Sequence, residues 1–389
     1  MQLDSIRVVD FTRLLPGPYA TQLLADMGAD VIKVEDTDGG DYARYMPPTT
    51  DADVGAIFDG VNRGKRSISV DCTTDDGQEV VHRLAADADV FIEGFRPGVT
   101  DRLNVDYETI AEQNPEIVYV SLTGYGQSGP LAARAGHDLN YCGRAGLLSM
   151  TRTDSSSTPQ LPGFPVADMS GGLFAAMAAL GGLCSRAFGE DTGGTYVDIA
   201  MTDVVLSMGQ AVYTSVFSGD DPEAGTTPLT GAHPWYDVYA TSDDEYVTLA
   251  ALEPKFWRTF CETVDRPDLL QYHLGSDPAT TEALKDELTE LFAERTRAEW
   301  MDRFAGTDAM VDPVFDPAEA IAQDRVQRRI ITDERGSPRV GFPAVTDLPE
   351  TDERVPVRGA DTVSVLSELG YDRESIDRLA ENGVVESDG

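Results

Sequence analysis

The sequence predicts an α/β protein with a large domain built on a parallel sheet and a smaller α+β domain after it. Strand-like and helix-like stretches alternate through the first third of its 389 residues. The pattern changes to hairpin and helices after a Gly/Pro/Thr-rich stretch at 219–231. A chain this long also exceeds what one small core accommodates, so two domains are expected.

The elements follow in order. Residues 6–11 and 29–35 are apolar runs that read as strands, and 19–27 between them has helical spacing. Further short strands are predicted at 67–71, 90–93 and 117–122, with helical stretches near 78–86 and 107–112. Alternation at this spacing implies a parallel sheet covered by helices. Residues 171–187 and 198–217 read as two long helices, the first fully buried and the second amphipathic. Beyond 231, residues 236–240 and 246–252 read as a hairpin across Ser242-Asp243-Asp244, with helices at 254–264, 280–295 and 297–304. Two short helices within 364–385 are expected to return to the first domain. The predicted boundaries are 1–190 for the large domain, 191–230 for a helical linker, 231–325 for the small domain and 326–389 for the returning segment.

A hydrophobic content of 41% with 8% aromatics is that of a packed chain rather than a disordered one. The charge is unusual: 68 acidic residues against 30 basic give a net −38, and Lys33, Lys65, Lys255 and Lys285 are the only lysines. That charge argues against nucleic acid or an anionic membrane as a partner. The acids are spread along the chain instead of forming one tail. Spread acid with scarce lysine points to a halophilic surface, on which concentrated salt screens the self-repulsion; an ordinary acidic protein is the alternative. Cys72, Cys142, Cys184 and Cys261 are scattered, with no C-x-x-C pair and no histidine at metal spacing, so they read as reduced thiols and no metal is implied. Met1-Gln2-Leu3-Asp4 does not read as a signal peptide, and none is expected. The run 171–184 is too short and glycine-rich to span a bilayer. A cytoplasmic location is the expectation.

Gly124-Tyr125-Gly126-Gln127-Ser128-Gly129 matches G-x-G-x-x-G after a strand. A dinucleotide site would need a helix to open there, and Pro130 and Gly136 follow instead, which favours a tight loop shaping a pocket. Arg63-Gly64-Lys65-Arg66 precedes a strand, and Arg96 and Arg102 flank Pro97-Gly98. Such clusters suggest either an anionic ligand or pairing with the surplus acids. Asp168, at the start of a long apolar helix, is either a plain cap or a carboxylate base or nucleophile beside helix-end donors. His137 and Glu253 taken singly carry no assignment.

Taken together, the motifs resemble the family III CoA-transferases, and within them the α-methylacyl-CoA racemases. The likeness runs from Asp10-Phe11-Thr12-Arg13 and Pro16-Gly17-Pro18 through Asn62-Arg63-Gly64-Lys65-Arg66, Glu93-Gly94-Phe95-Arg96-Pro97-Gly98 and Gly124–Gly129 to Leu369-Gly370-Tyr371. It implies a large Rossmann-like domain, an interlocked homodimer and a CoA thioester substrate, with no cofactor beyond the CoA moiety. Arg44, Lys65, Arg66, Arg96 and Arg102, with Tyr125 and Gly126, are the residues it suggests for holding CoA.

The racemases resemble this chain in carrying a histidine at His137 within G-H-D-x-N-Y and a glutamate at Glu253 within A-L-E-P-x-F, beside the aspartate at Asp168 that the transferases share. The resemblance implies that His137 and Asp168 face opposite sides of the α-carbon, one removing the proton and the other returning it through an enolate. Glu253 would set the histidine tautomer from the partner chain. Gly171-Gly172 and the helix start would stabilise the enolate oxygen. In a transferase, Asp168 would instead attack the thioester and carry the acyl group as a mixed anhydride. Only Met201 and Met208 stand where the racemases carry a methionine-rich acyl surface, so a short branched or dicarboxylic acyl group is compatible with both chemistries.

Overall fold

The computed structural model describes residues 2–51, 53–153, 156–189, 193–273, 277–344 and 353–386. The chain divides into two compact units, one made of Met1–Gly146, Pro162–Met208 and Arg328–Gly389, the other of Leu147–Leu161 and Gly209–Gln327.

The first unit alternates β1 (Arg7–Phe11), α1 (Pro16–Asp26), β2 (Asp30–Glu35), α2 (Ala56–Val61), β3 (Arg66–Ser69), α3 (Asp75–Ala86) and β4 (Val90–Glu93). It continues with α4 (Val99–Arg102), α5 (Tyr107–Gln113), β5 (Val118–Thr123), α6 (Asp138–Arg144), α7 (Val166–Phe188), β6 (Thr195–Ala200) and α8 (Met201–Met208). Local chemistry sets several of the starts. Pro16 opens α1, where its fixed φ suits a first helical turn, while Thr74 and Asp106 cap α3 and α5 by accepting backbone N–H groups.

The six strands form one sheet in the order β3-β2-β1-β4-β5-β6, every pair parallel. This doubly wound order changes direction between β1 and β4, and such sheets take ligands in the crevice beyond the strand ends at that point. The central strands are buried on both faces because helices cover both.

The second unit holds α9 (Gln210–Phe217), then β7 (Tyr236–Ala240), β8 (Tyr246–Ala250), α10 (Pro254–Thr263), α11 (Pro278–Phe292) and α12 (Arg297–Phe304). After these come β9 (Val311–Pro313), α13 (Pro317–Ala322) and α14 (Asp324–Gln327). Strands β7, β8 and β9 make an antiparallel sheet, and the turn between β7 and β8 places Asp244 at φ 61°. Trp235, Trp257, Trp300, Phe260 and Phe292 form its core.

The chain then rejoins the first unit through the hairpin β10 (Ile330–Thr332) and β11 (Pro338–Val340) and the helices α15 (Thr362–Glu368) and α16 (Arg373–Glu381). Val365, Leu366, Ile376 and Leu379 of these helices share a core with Val9, Ile32, Phe91 and Tyr119 of the sheet.

Three expectations are corrected. Residues 198–200 belong to β6, not to a helix. Thr195, Tyr196 and Val197 favour extended backbone, and pairing with β5 across a full register decides the matter. Gly209 then separates α8 from α9, so β6 and α8 fall in the first unit and no single linker covers 191–230. The predicted boundary at 190/191 lies outside the described residues.

The predicted fully buried helix is the third. Helix α7 is 23 residues long, longer than the run 171–184 read from the sequence, and by length and composition alone it is long and apolar enough to cross a membrane. Its small residues, among them Gly171, Gly172, Ala175 and Gly182, face α1 and β5, whereas Leu173 and Met177 on the other side are 52% and 55% exposed.

Candidate active site

A cavity of ≈ 260 Å³ opens at the switch point of the sheet. Its walls are the loops leaving β1 (Thr12, Arg13, Leu14), β4 (Gly94 to Pro97) and β5 (Thr123 to Tyr125), together with Arg134, Gly136, His137, Tyr141, Asp168 and Met201.

Its floor is braced by buried charge. Asp10, fully buried at the end of β1, accepts from Thr12 Oγ1 at 2.5 Å, Thr21 Oγ1 at 2.6 Å and Lys65 Nζ at 3.0 Å. Burial pushes the Asp10 carboxyl up, but the Lys65 and Lys33 ammonium groups outweigh it and hold it well below the usual range. Burial lowers Lys65 to about 8 against the pull of Asp10. Lys33 donates to Thr12 O at 2.9 Å and pairs with Asp41 at 3.0 Å. Asp41 in turn accepts from the N–H of Leu14 at 3.0 Å, holding that residue at φ 67°, a left-handed backbone that leucine rarely adopts.

Beside this floor, Glu93 at the end of β4 accepts the Phe95 N–H at 2.7 Å and fixes the loop that carries Arg96 into the cavity. Burial raises Glu93 to about 7, with Asp198 adding to it against bonds from Ser121 and Phe95.

His137 stands at the start of α6 and is exposed to the cavity. Its backbone N–H donates to Asn140 Oδ1 at 3.0 Å. Of the four histidines it alone lines the cavity, since His82 meets Asn104 O, His273 meets Ala251 O and His233 stacks on Trp235.

Asp168 lies in the first turn of α7, half-buried. Burial, then the neighbouring Asp138 carboxylate, raise it to about 7. Tyr141 donates to Gly136 O at 2.6 Å and is raised to about 12 by burial and then Asp168. The glycine loop exists for this ring. A Cβ on Gly124 would lie 2.3 Å from Tyr141 and one on Gly136 2.6 Å from it. No helix opens at 124–129, as the pocket-shaping reading of that loop expected.

Of the residues expected to hold CoA, Arg96 and Tyr125 line the cavity, and Arg13 and Arg134, which sequence reasoning missed, join them. Arg102 is exposed and donates to Gly98 O at 2.8 Å, and Gly126 turns at φ 81° against Asp198; neither lines the cavity. Arg44, Lys65 and Arg66 are corrections. Arg44 is buried in a bidentate pair with Glu35, Lys65 is buried against Asp10, and Arg66 ties Asp30 to Glu368. Each is paired with carboxylates of this chain, Arg66 at the surface and the other two buried, and none lines the cavity.

The expected oxyanion role of the α7 start is likewise corrected. The N–H groups of Ala167 and Asp168 donate to Asp138 Oδ1 at 2.6 and 3.1 Å. Gly171 and Gly172 serve close packing, since added Cβ atoms would lie 2.6 Å from Met201 Cγ and 2.3 Å from Pro16 O. Glu253 is exposed at the start of α10 in the second unit and makes no cap bond to its own helix. Among the described residues, no group of three or more His, Cys, Asp or Glu side chains could hold a metal.

The description "CoA-transferase family III" belongs to the family model that matches residues 3–362. The chain belongs to CoA-transferase family III. Within this family it is 33% identical to the alpha-methylacyl-CoA racemase of Homo sapiens over 399 aligned positions, covering 100% of this chain and 98% of that protein. It is also 34% identical to the succinyl-CoA:mesaconate CoA-transferase of Haloarcula hispanica, covering 92% and 89%. Among solved structures, a CAIB/BAIF family protein from Brucella suis superposes with a TM-score of 0.81 at 30% identity, covering 94% of this chain and 99% of that one. The chain thus stands at similar identity to a racemase and to a transferase.

Proposed function

We propose that this family III protein is a 2-methylacyl-CoA racemase. The observation that carries the reading is His137 and Asp168 in one cavity, with the Asp168 carboxyl raised to about 7. An acid/base catalyst works best when its pKa lies near the working pH. The thioester carbonyl acidifies the adjacent C–H, one of the two groups takes that proton, and the enolate is reprotonated from the other face. Arg96 and Tyr125, with Arg13 and Arg134, are proposed to hold the anionic parts of CoA. A homodimer in which Glu253 of one chain orients His137 of the other belongs to the same proposal, as does action in the cytoplasm, supported by four free cysteines. The racemase relative, matched over 98% of its length, supports the reading.

A second reading is a transferase that moves CoA between small carboxylic acids, with Asp168 as nucleophile. The mesaconate-transferase relative favours it, as does an acyl space to which Met201 is the only methionine contributed. Both are tested by incubating the protein in D₂O and concentrated salt with a 2-methylacyl-CoA, with and without succinate or mesaconate. Deuterium at the α-carbon with loss of chirality and no acceptor is the expected result. CoA appearing on the added acid without exchange would replace the racemase by the transferase. His137→Ala is expected to abolish exchange while retaining CoA binding; undiminished exchange would remove the histidine from the mechanism.

A further inference from the structure

Asp138 follows His137 directly, yet its carboxylate serves the other helix. The residue preceding α7 is Pro165, which supplies no side-chain cap. Asp138 Oδ1 fills that place from a distance in sequence, accepting the Ala167 N–H at 2.6 Å and the Asp168 N–H at 3.1 Å. Its other oxygen accepts from the buried Cys142 thiol at 3.7 Å. The start of α6 is closed separately by Asn140, so Asp138 is free to reach across.

We propose that Asp138 is a positioning residue of this site: its carboxylate locks the first turn of α7 to the first turn of α6, fixing Asp168 in the cavity with His137. This rests on the racemase reading for the reaction affected, though both readings use Asp168. A helix start normally stabilises a carboxylate in its first turn. Here a second carboxylate already occupies the donors, and its charge faces Asp168 at the same helix end. Asp168 is therefore held closer to neutral form than its position alone would give. Asp138, Tyr141 and Cys142 from the α6 region interact electrostatically with it, and His137, Arg13, Arg96 and Arg134 are the other titratable or charged groups that line the same cavity.

Asp138→Asn keeps an oxygen able to accept both N–H groups but removes the charge. The rate of α-proton exchange in the direction that uses Asp168 as base rises as Asp168 ionises. In Asp138→Asn the midpoint of that rise is expected to move to lower pH by about 1 unit, the size of one close like-charge interaction. Asp138→Ala is expected to lose exchange at least about tenfold in kcat with KM changed less, because the tie itself is lost. Asp138→Ser, whose hydroxyl can also cap, carries the Asn expectation if the amide variant does not fold.

Titration of ¹³C-labelled aspartate, with Asp168 assigned by its loss in Asp168→Asn, reads the same quantity without any reaction. A wild-type Asp168 midpoint in the ordinary carboxylate range, or one unmoved in Asp138→Asn, overturns the proposal. Absence of exchange in the wild type with the carboxyl titration as expected would instead sink the racemase reading and leave Asp138 in its place.

Discussion

Asp168 and Glu93 share an elevated pKa of about 7 with burial as the leading cause, and they differ in what the elevation does. Asp168 meets the cavity, so its protonation bears on chemistry. Glu93 is sealed beneath the cavity, so its protonation bears on stability. The unfolded chain releases the Glu93 proton near 4.5 and the folded chain near 7. Between those values the folded state binds the extra proton. The stabilisation by the neutral carboxyl is fully present below the lower value and is lost as pH rises through the upper one, about 3 kcal/mol in all. Glu93→Gln is expected to remove that contribution from the pH dependence of denaturant unfolding at constant salt between pH 5 and 8, leaving the part carried by Asp168, which is raised likewise. It should also raise stability at pH 8 by about 2 kcal/mol. An unchanged slope would show that Glu93 does not titrate in that window. Neither elevation is visible in the sequence, because each depends on what surrounds the carboxyl.

At the scale of elements, the cavity depends on how closely α7 approaches α1 and β6–α8. Gly172 meets backbone: an added Cβ would lie 2.3 Å from Pro16 O. Gly171 meets the flexible Met201 side chain at 2.6 Å. Gly172→Ala is therefore expected to cost about 2 kcal/mol of stability, and Gly171→Ala under about 1, with the latter's larger effect on KM because Met201 lines the cavity. Thermal unfolding of the two variants checks this, and equal destabilisation would contradict it. The strands β1, β2, β4 and β5 were legible because each carries a compact apolar run, and β3, whose Ile68 is its one apolar residue, because it falls in the strand–helix alternation. Strand β6 was not, since its burial alternates up to Ile199 and its last residues run straight into α8. Helix α7 was legible in existence but not in burial, because hydropathy cannot say which face finds a partner.

For the whole molecule, a net charge of −38 spread over the chain must be screened or it opposes compaction. Dialysis from molar salt into salt-free buffer is expected to unfold the protein, followed by circular dichroism; full retention of structure would contradict a halophilic surface. The motifs around His137 and Asp168 are local and specific enough to single them out in the sequence, and both line the cavity. The strand–helix alternation of the first unit could also be read there, since periodicity alone encodes it. The fate of the basic residues could not. Arg66 is neutralised by Glu368 and Arg339 by Asp26, partners some three hundred positions away. Lys65 looks like an anion site until Asp10 is seen against it. The same holds for Asp138, whose carboxylate caps a helix that begins 28 residues later. Periodicity and motif are properties of neighbours along the chain, and these the sequence determined. Which charge meets which, and how much water is left around it, is set by folding distant segments together, and only the tertiary structure decided it.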